Sequence, residues 1–262
     1  MARRPLILVS PSIERKGVEF HDLSSSLSLR YDAAIVAAGG VPVIAPATTD
    51  PEVLAECVRR TEGVLLTGGD DINPELYAHL YKPKLPAKVL KTLEPTPDDG
   101  ARDIRELVLI REIFRQRKAV LGICRGHQLL HVAFGGRLIA DIKQQLPGAL
   151  NHQRSDRHLE IVHEATLTPG SLLSKICKTL VLGVNSTHHQ AVADPVDPFV
   201  AVAHSRDGIV EAMELKPGLG LPFYLSVQFH PERLVQKHDR YRAIFREFVA
   251  ACAKSIKTKN ER

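Results

Sequence analysis

The chain has 262 residues, 44% hydrophobic and 25% charged, the proportions of a globular protein with a sizeable core rather than of a disordered tail. Aromatics are only 5% with no tryptophan, so the formal charge of +5 lacks the stacking platform of a single-strand binder and reads as a solvated surface. No apolar run reaches the roughly 18 residues of a membrane span, Leu6–Val9 is too short for a signal-peptide core, and the four dispersed cysteines form neither a disulfide framework nor a zinc knuckle. A soluble, reduced, cytoplasmic protein is expected.

Strand and helix signals alternate from the start. Leu6–Val9 reads as a buried strand, and Ser24-Ser25-Ser26 offer N-cap hydroxyls to a helix carrying Leu27, Tyr31, Ala34, Ile35 and Ala38 at helical spacing. Gly39-Gly40 stops it, Val41–Ala45 is the next strand, and Asp50-Pro51 caps a second helix. Gly63–Thr67 is a third strand running into Gly68-Gly69-Asp70-Asp71. This rhythm predicts a parallel, doubly wound α/β sheet.

Residues 72–98 break the rhythm with five prolines, yet Leu76, Leu80, Leu85, Val89, Leu90 and Leu93 give them something to bury, so a structured excursion or lid is expected. A helix over Asp99–Arg117 leads into the strand Ala119–Ile123. Shorter strands follow at Ile161–Leu167, Val181–Val184, Val200–His204, Ile209–Leu215 and Phe223–Phe229, and an amphipathic helix at Asp239–Ala253 ends the pattern. One domain over residues 1–254 and a basic tail at 255–262 are expected.

Cys124 lies at the end of a predicted strand with Gly122 two residues before it, Gly126 two after, and helical spacing beyond. Flanking glycines permit the sharp strand-to-helix turn that lifts a nucleophile out of a sheet, and the start of a helix favours a thiolate there. Cys57, Cys177 and Cys252 have no such setting and read as core residues. A thiol nucleophile needs a base, and the base an orienting acceptor. His230, at another strand end and two residues before Glu232, supplies that pair. Other histidines, at 152, 158, 163, 188 and 189, match no common zinc spacing, so no metal is expected.

Gly122-Ile123-Cys124-Arg125-Gly126-His127-Gln128 and Gln228-Phe229-His230-Pro231-Glu232 resemble the two signatures of class I glutamine amidotransferases, and more closely those of the γ-glutamyl-γ-aminobutyrate hydrolases. Ala38–Pro42, Gly68–Pro74, Arg102-Asp103, Val184–Gln190 and Asp207-Gly208 before Glu211 agree in order, so the resemblance covers roughly residues 5 to 250. It implies a mainly parallel central sheet flanked by helices, with Cys124 as nucleophile, His230 as base and then acid, and Glu232 as orienting carboxylate. It further implies an oxyanion hole from the N–H groups of Gly69 and Arg125, and substrate contacts from Gln128, His188 and Gln190. His131 stands where relatives commonly carry asparagine and Phe229 where tryptophan is usual, which touches substrate identity more than chemistry.

The resemblance implies hydrolysis of γ-glutamyl amides in polyamine catabolism, without a cofactor. The implied partner is a small-molecule γ-glutamyl substrate, with no nucleic acid and no membrane; a homodimer is left open. The 72–98 excursion is expected to cover the pocket and help choose the leaving amine. Asp70, Asp71 and Asp103 would suit a cationic amine, Lys82 or Lys84 an acidic one. The rival readings are a glutaminase subunit feeding ammonia to a separate synthase, and a binding protein on a dead scaffold.

Overall fold

The computed structural model describes residues 3–260. The first half of the chain forms β1 (Leu6–Ser10), β2 (Ser12–Glu14), β3 (Ser24–Ser26), α1 (Leu29–Ala37), β4 (Val41–Ile44), α2 (Pro51–Arg60), β5 (Gly63–Leu66), α3 (Ala87–Leu90), α4 (Ala101–Arg115), β6 (Ala119–Ile123) and α5 (Arg125–Ala133). The second half adds β7 (Leu138–Ile139), α6 (Ile142–Gln145), β8 (His163–Leu167), α7 (Leu172–Cys177), β9 (Val181–Val184), β10 (Ala191–Val192), β11 (Phe199–Ser205), β12 (Val210–Leu215), β13 (Tyr224–Val227) and α8 (Asp239–Asn260).

Nine strands make one sheet in the order β4-β1-β5-β6-β13-β12-β11-β8-β9. The first five run parallel, and β12, β11, β8 and β9 continue it antiparallel. The parallel centre explains why β5, β6 and β13 read as continuous apolar runs: both faces are covered. Ile7, Val9, Leu121 and Ile123 face one layer with Ile35 of α1 and Phe248 of α8. Leu8, Val64, Leu66 and Val120 face the other, with Leu54 of α2, Leu109 of α4 and Leu129 of α5.

The order of strands determines where chemistry can collect. Loops at the carboxyl ends of adjacent parallel strands open on a common crevice. Leu66 is in register with Gly122, and Ile123 with Val227. The turn after β5, the residue after β6 and the segment after β13 therefore emerge side by side.

Several local expectations are corrected. Ser24–Ser26 pairs with β2 instead of capping the helix; Ser28, directly before the first helical residue, accepts from the Arg30 N–H at 3.4 Å. The 72–98 excursion is anchored rather than draped, with Ile72, Tyr77, Leu85 and Val89 buried in the second core layer. Elements of two to six residues, such as β7, β10, α6 and α7, are too short to show periodicity. The boundary expected after residue 254 falls inside α8, and residues 261–262 of the basic tail lie outside the described residues. Among the described residues no helix is long and apolar enough to cross a membrane.

Candidate active site

Cys124 is the single residue between β6 and α5, at φ +51° and ψ −103°, a region that side-chain-bearing residues rarely occupy. Its N–H donates to the Val227 carbonyl at 2.8 Å, tying the turn to β13. Packing explains the flanking glycines. A Cβ on Gly126 would lie 2.4 Å from the Leu66 carbonyl oxygen, and one on Gly122 would lie 2.6 Å from Leu130 Cδ1 and 3.0 Å from the Gly126 oxygen. Backbone packs on backbone here, and the Gly126 N–H donates to the Thr67 carbonyl at 3.2 Å.

His230 follows β13 and is held at both backbone polar groups by Asn185. Its N–H donates to Asn185 Oδ1 at 2.8 Å, and Asn185 Nδ2 donates to its carbonyl at 3.0 Å. Its Nδ1 lies 2.8 Å from Oε1 of the fully buried Glu232. The ring meets Cys124 across Gly68, whose missing Cβ would lie 2.7 Å from His230 Cε1 and 3.5 Å from Cys124 Cβ. Burial opposes charge on the imidazole, but the Glu232 carboxylate and the hydrogen-bonded Cys124 sulfur outweigh it and raise the His230 pKa to about 10. The three residues singled out from sequence are thus gathered at one place: His230 is hydrogen-bonded to Glu232, and His230 and Cys124 line the same cleft.

Gly69 lines the same cleft as Cys124, and a Cβ on it would collide with Arg102 Nη1 at 2.1 Å. The Arg125 N–H is the first of α5, one of the donors that a helix leaves without an intrahelical acceptor. A buried ionic network positions both. The Arg125 guanidinium donates to Asp103 and Glu106. Arg102 donates to Glu106 Oε1 at 3.1 Å and to the Gly68 carbonyl at 2.8 Å, and Ser10 donates to Glu106 as well. Burial opposes ionisation of Glu106, yet Arg125 and Arg102 hold its pKa at about 2. Asp103 also accepts from the Asn73 N–H, so it braces the loop after the Gly-Gly turn. Glu106 was missed from sequence; its signal is the i,i+4 spacing from Arg102 on α4.

Gln128, His188 and Gln190 are brought together behind the cleft, each at most 5% exposed. Gln128 Nε2 donates to the Gln190 carbonyl at 3.0 Å and to Gln228 Oε1 at 3.1 Å. His188 lies 2.9 Å from that same carbonyl through Nδ1, and Gln190 Nε2 donates to the Tyr77 hydroxyl at 3.0 Å. The cleft wall itself, enclosing about 360 Å³, is Gly69, Cys124, Ser155, His158, Thr187, His230 and Arg233. No residue of 72–98 lines it; the excursion meets the residues behind the cleft through the Tyr77 hydroxyl, which accepts from Gln190. Ser155, His158, Thr187 and Arg233 were not assigned to the wall from sequence.

Beside the Gly-Gly turn, His189 Nε2 lies 2.8 Å from Asp71 Oδ1 and its Nδ1 3.3 Å from Asp141 Oδ2. The Asp71 hydrogen bond leads in raising the His189 pKa from 6.5 to about 8. A raised pKa contributes stability that is complete below 6.5 and lost as pH rises through about 8. Wild type is expected to exceed His189→Gln in urea stability by on the order of 1–2 kcal/mol near about pH 6, with the gap closing by about pH 9.5. A pH-independent gap in urea titrations would contradict the ion pair.

A model of the Peptidase C26 family matches residues 5–232. The gamma-glutamyl-gamma-aminobutyrate hydrolase PuuD of Escherichia coli is 33% identical over 248 residues, covering 90% of each chain. Protein NtpR of Enterococcus hirae is 32% identical over 218 residues, covering 82% of this chain and 85% of its own. The glutaminase domain of Trypanosoma brucei CTPS, solved with bound acivicin, superposes with a TM-score of 0.60 at 12% identity, covering 95% of this chain and 94% of that one.

Proposed function

The chain belongs to the Peptidase C26 family, whose model spans most of it, and from that premise we propose that it hydrolyses γ-glutamyl amide bonds of small molecules through a thioester on Cys124. One observation carries the reading: Cys124, held in a positive-φ turn, shares a cleft wall with His230, which is hydrogen-bonded to the buried Glu232. Identity to a γ-glutamyl-γ-aminobutyrate hydrolase over 90% of the chain supports the substrate class.

In this mechanism the Cys124 sulfur attacks the γ-carbonyl carbon. Negative charge gathers on the carbonyl oxygen, where the Gly69 and Arg125 N–H groups receive it; each such donor contributes on the order of 3–4 kcal/mol. The C–N bond then breaks as His230 hands its proton to the departing amine. Water, deprotonated by His230, attacks the thioester and releases glutamate, and the thiol is regenerated. Glu232 fixes the ring and stabilises the imidazolium. Gln128, Gln190 and His188 shape the γ-glutamyl pocket from behind, and Arg233 places a guanidinium on the wall that suits a substrate carboxylate. No step calls for a cofactor.

His230→Ala removes the proton carrier and is expected to cost about 100- to 10,000-fold in kcat. Glu232→Gln keeps an acceptor but loses charge, so its loss is smaller. Single-turnover rates for the two variants check this order, and a reversed order would reassign the base.

The amine is expected to be γ-aminobutyrate or a related product of cytoplasmic polyamine breakdown. Kinetics on γ-glutamyl-γ-aminobutyrate, γ-glutamyl-putrescine and glutamine test this. The isolated chain is expected to prefer one of the first two over glutamine by at least about 10-fold in kcat/KM, or about 1.4 kcal/mol. Preference for glutamine, or silence until a synthase is added, would instead mark an ammonia-donating glutaminase.

A further inference from the structure

Behind the 185–190 segment, three residues from separate parts of the chain turn their ligating atoms toward one point. His152 precedes β8 in a loop, His163 opens β8, and Glu211 lies in β12. One ligand atom from each falls within 4.8 Å of the other two. Glu211 Oε1 lies 3.3 Å from His163 Nε2 and 3.8 Å from His152 Nδ1. Two bonds of about 2.0–2.1 Å meeting at a tetrahedral angle hold their ligand atoms about 3.3 Å apart, so the two Glu211 separations nearly fit and the two imidazoles, within 4.8 Å, would draw together around the ion.

The outer ring nitrogens are already engaged as metal-binding imidazoles require. His152 Nε2 lies 3.0 Å from Asp207 Oδ2, and His163 Nδ1 lies 3.3 Å from the Glu164 carbonyl. Each bond puts the ring proton on the outer nitrogen and leaves the inner one a bare lone pair. Asp207 is fixed in turn by the Leu150 N–H at 2.8 Å and by the Ser205 hydroxyl.

The inner face gathers one carboxyl and two imidazole nitrogens around a common point. Glu211 is wholly buried, and neither of its carboxylate oxygens has a hydrogen-bond partner among the described residues. The nearby Ser186 hydroxyl carries one proton for two neighbours, His152 Nδ1 at 3.1 Å and His188 Nε2 at 3.0 Å. Among the described residues the ion-pairing groups within 4 Å of Glu211 are these same two imidazoles. Buried carboxylates are paired or coordinate metals.

We propose that His152, His163 and Glu211 bind one divalent first-row transition metal ion, of the zinc type, with a water molecule in the fourth position, at a site distinct from the Cys124 cleft. Two imidazoles and one carboxylate suit zinc, and Asp207–His152 supplies the outer carboxylate that such sites commonly carry. A cleft of about 440 Å³, walled in part by His152, His188 and Gln153, borders the cluster and gives the ion a way in. The ion would brace loop 152, β8 and β12 beneath Ser186, next to the Thr187 that lines the catalytic cleft and the Asn185 that holds His230. Sequence spacing shows no zinc pattern because the ligands come from a loop and two strands separated by β9, β10 and β11 in chain order. Of the histidines noted from sequence, His158 lies instead in the cleft wall.

The test is zinc binding to the full-length protein after chelator treatment, read by elemental analysis and competition with a chromogenic chelator, and repeated with Co²⁺ for its visible absorption. Because the catalytic thiol can also take zinc, Cys124→Ser is measured beside wild type. One ion per chain is expected in both, with a tetrahedral cobalt spectrum and a zinc-dependent rise in Tm. Glu211→Gln, nearly isosteric, and His163→Gln, at the edge of the cluster, are expected to lose the ion and the Tm rise. Asp207→Asn is expected to weaken binding about 10- to 100-fold. Either ligand variant suffices if the other fails to fold, circular dichroism deciding which is native. No saturable ion in wild type, an ion retained in folded Glu211→Gln or His163→Gln, or an ion lost in Cys124→Ser would overturn the site.

Discussion

Cys124→Ala is expected to lower glutamate release by at least about 10⁴-fold, while Cys57→Ala, Cys177→Ala and Cys252→Ala stay within a few fold of wild type. The contrast comes from surroundings rather than from cysteine as such. Cys124 sits in a positive-φ turn at the head of α5, sharing a cleft wall with the His230 imidazole. Burial pushes the Cys177 thiol up to about 12, raises Cys252 too, and leads in raising Cys57. Reactivity follows thiolate character, so iodoacetamide should label Cys124 first, checked by peptide mass mapping. Equal labelling of all four, or turnover without Cys124, would remove the nucleophile assignment.

Glu106→Ala is expected to cost about 3–5 kcal/mol of folding stability, because it removes the buried carboxylate paired with Arg102 and leaves Arg125 with Asp103 alone. Arg102 and Arg125 are 0% and 1% exposed, so water cannot take over the lost partner. Both arginines hold the backbone of the proposed site: Arg102 through the Gly68 carbonyl, Arg125 as the first residue of α5. Activity should fall even at temperatures where the variant remains folded. Urea unfolding alongside single-turnover kinetics checks both effects, and a loss below about 1 kcal/mol would show that the network is dispensable.

What the sequence revealed and what it hid divide along contact range. Gly122, Cys124 and Gly126 announce a tight turn locally, and His230 and Glu232 sit two residues apart, so the turn and the His230–Glu232 pair were legible. The alternation of β1, α1, β4, α2 and β5 likewise exposed the parallel half of the sheet. Glu106, Asn185 and Thr187 gain meaning only from partners dozens of residues away, such as Asn185 clamping His230 across 45 positions. The cluster of His152, His163 and Glu211 was invisible for the same reason. Ser24–Ser26 misled because hydroxyls suit a hairpin as well as a cap, and only Ser28 stands where the first helical N–H groups point. The 72–98 segment was rightly read as structured; its buried Tyr77 and Val89 join the second core layer, and the Tyr77 hydroxyl accepts from Gln190.

The central claim is a γ-glutamyl thioester on Cys124, and acid-quenched mass mapping during turnover tests it most directly. With a γ-glutamyl amine as substrate, the peptide carrying Cys124 should gain the mass of one glutamyl group, and the gain should build up in Glu232→Gln if hydrolysis of the thioester slows. It should be absent from Cys124→Ala. Glutamate released at the wild-type rate with no adduct on that peptide, or an adduct on another residue, would contradict the mechanism.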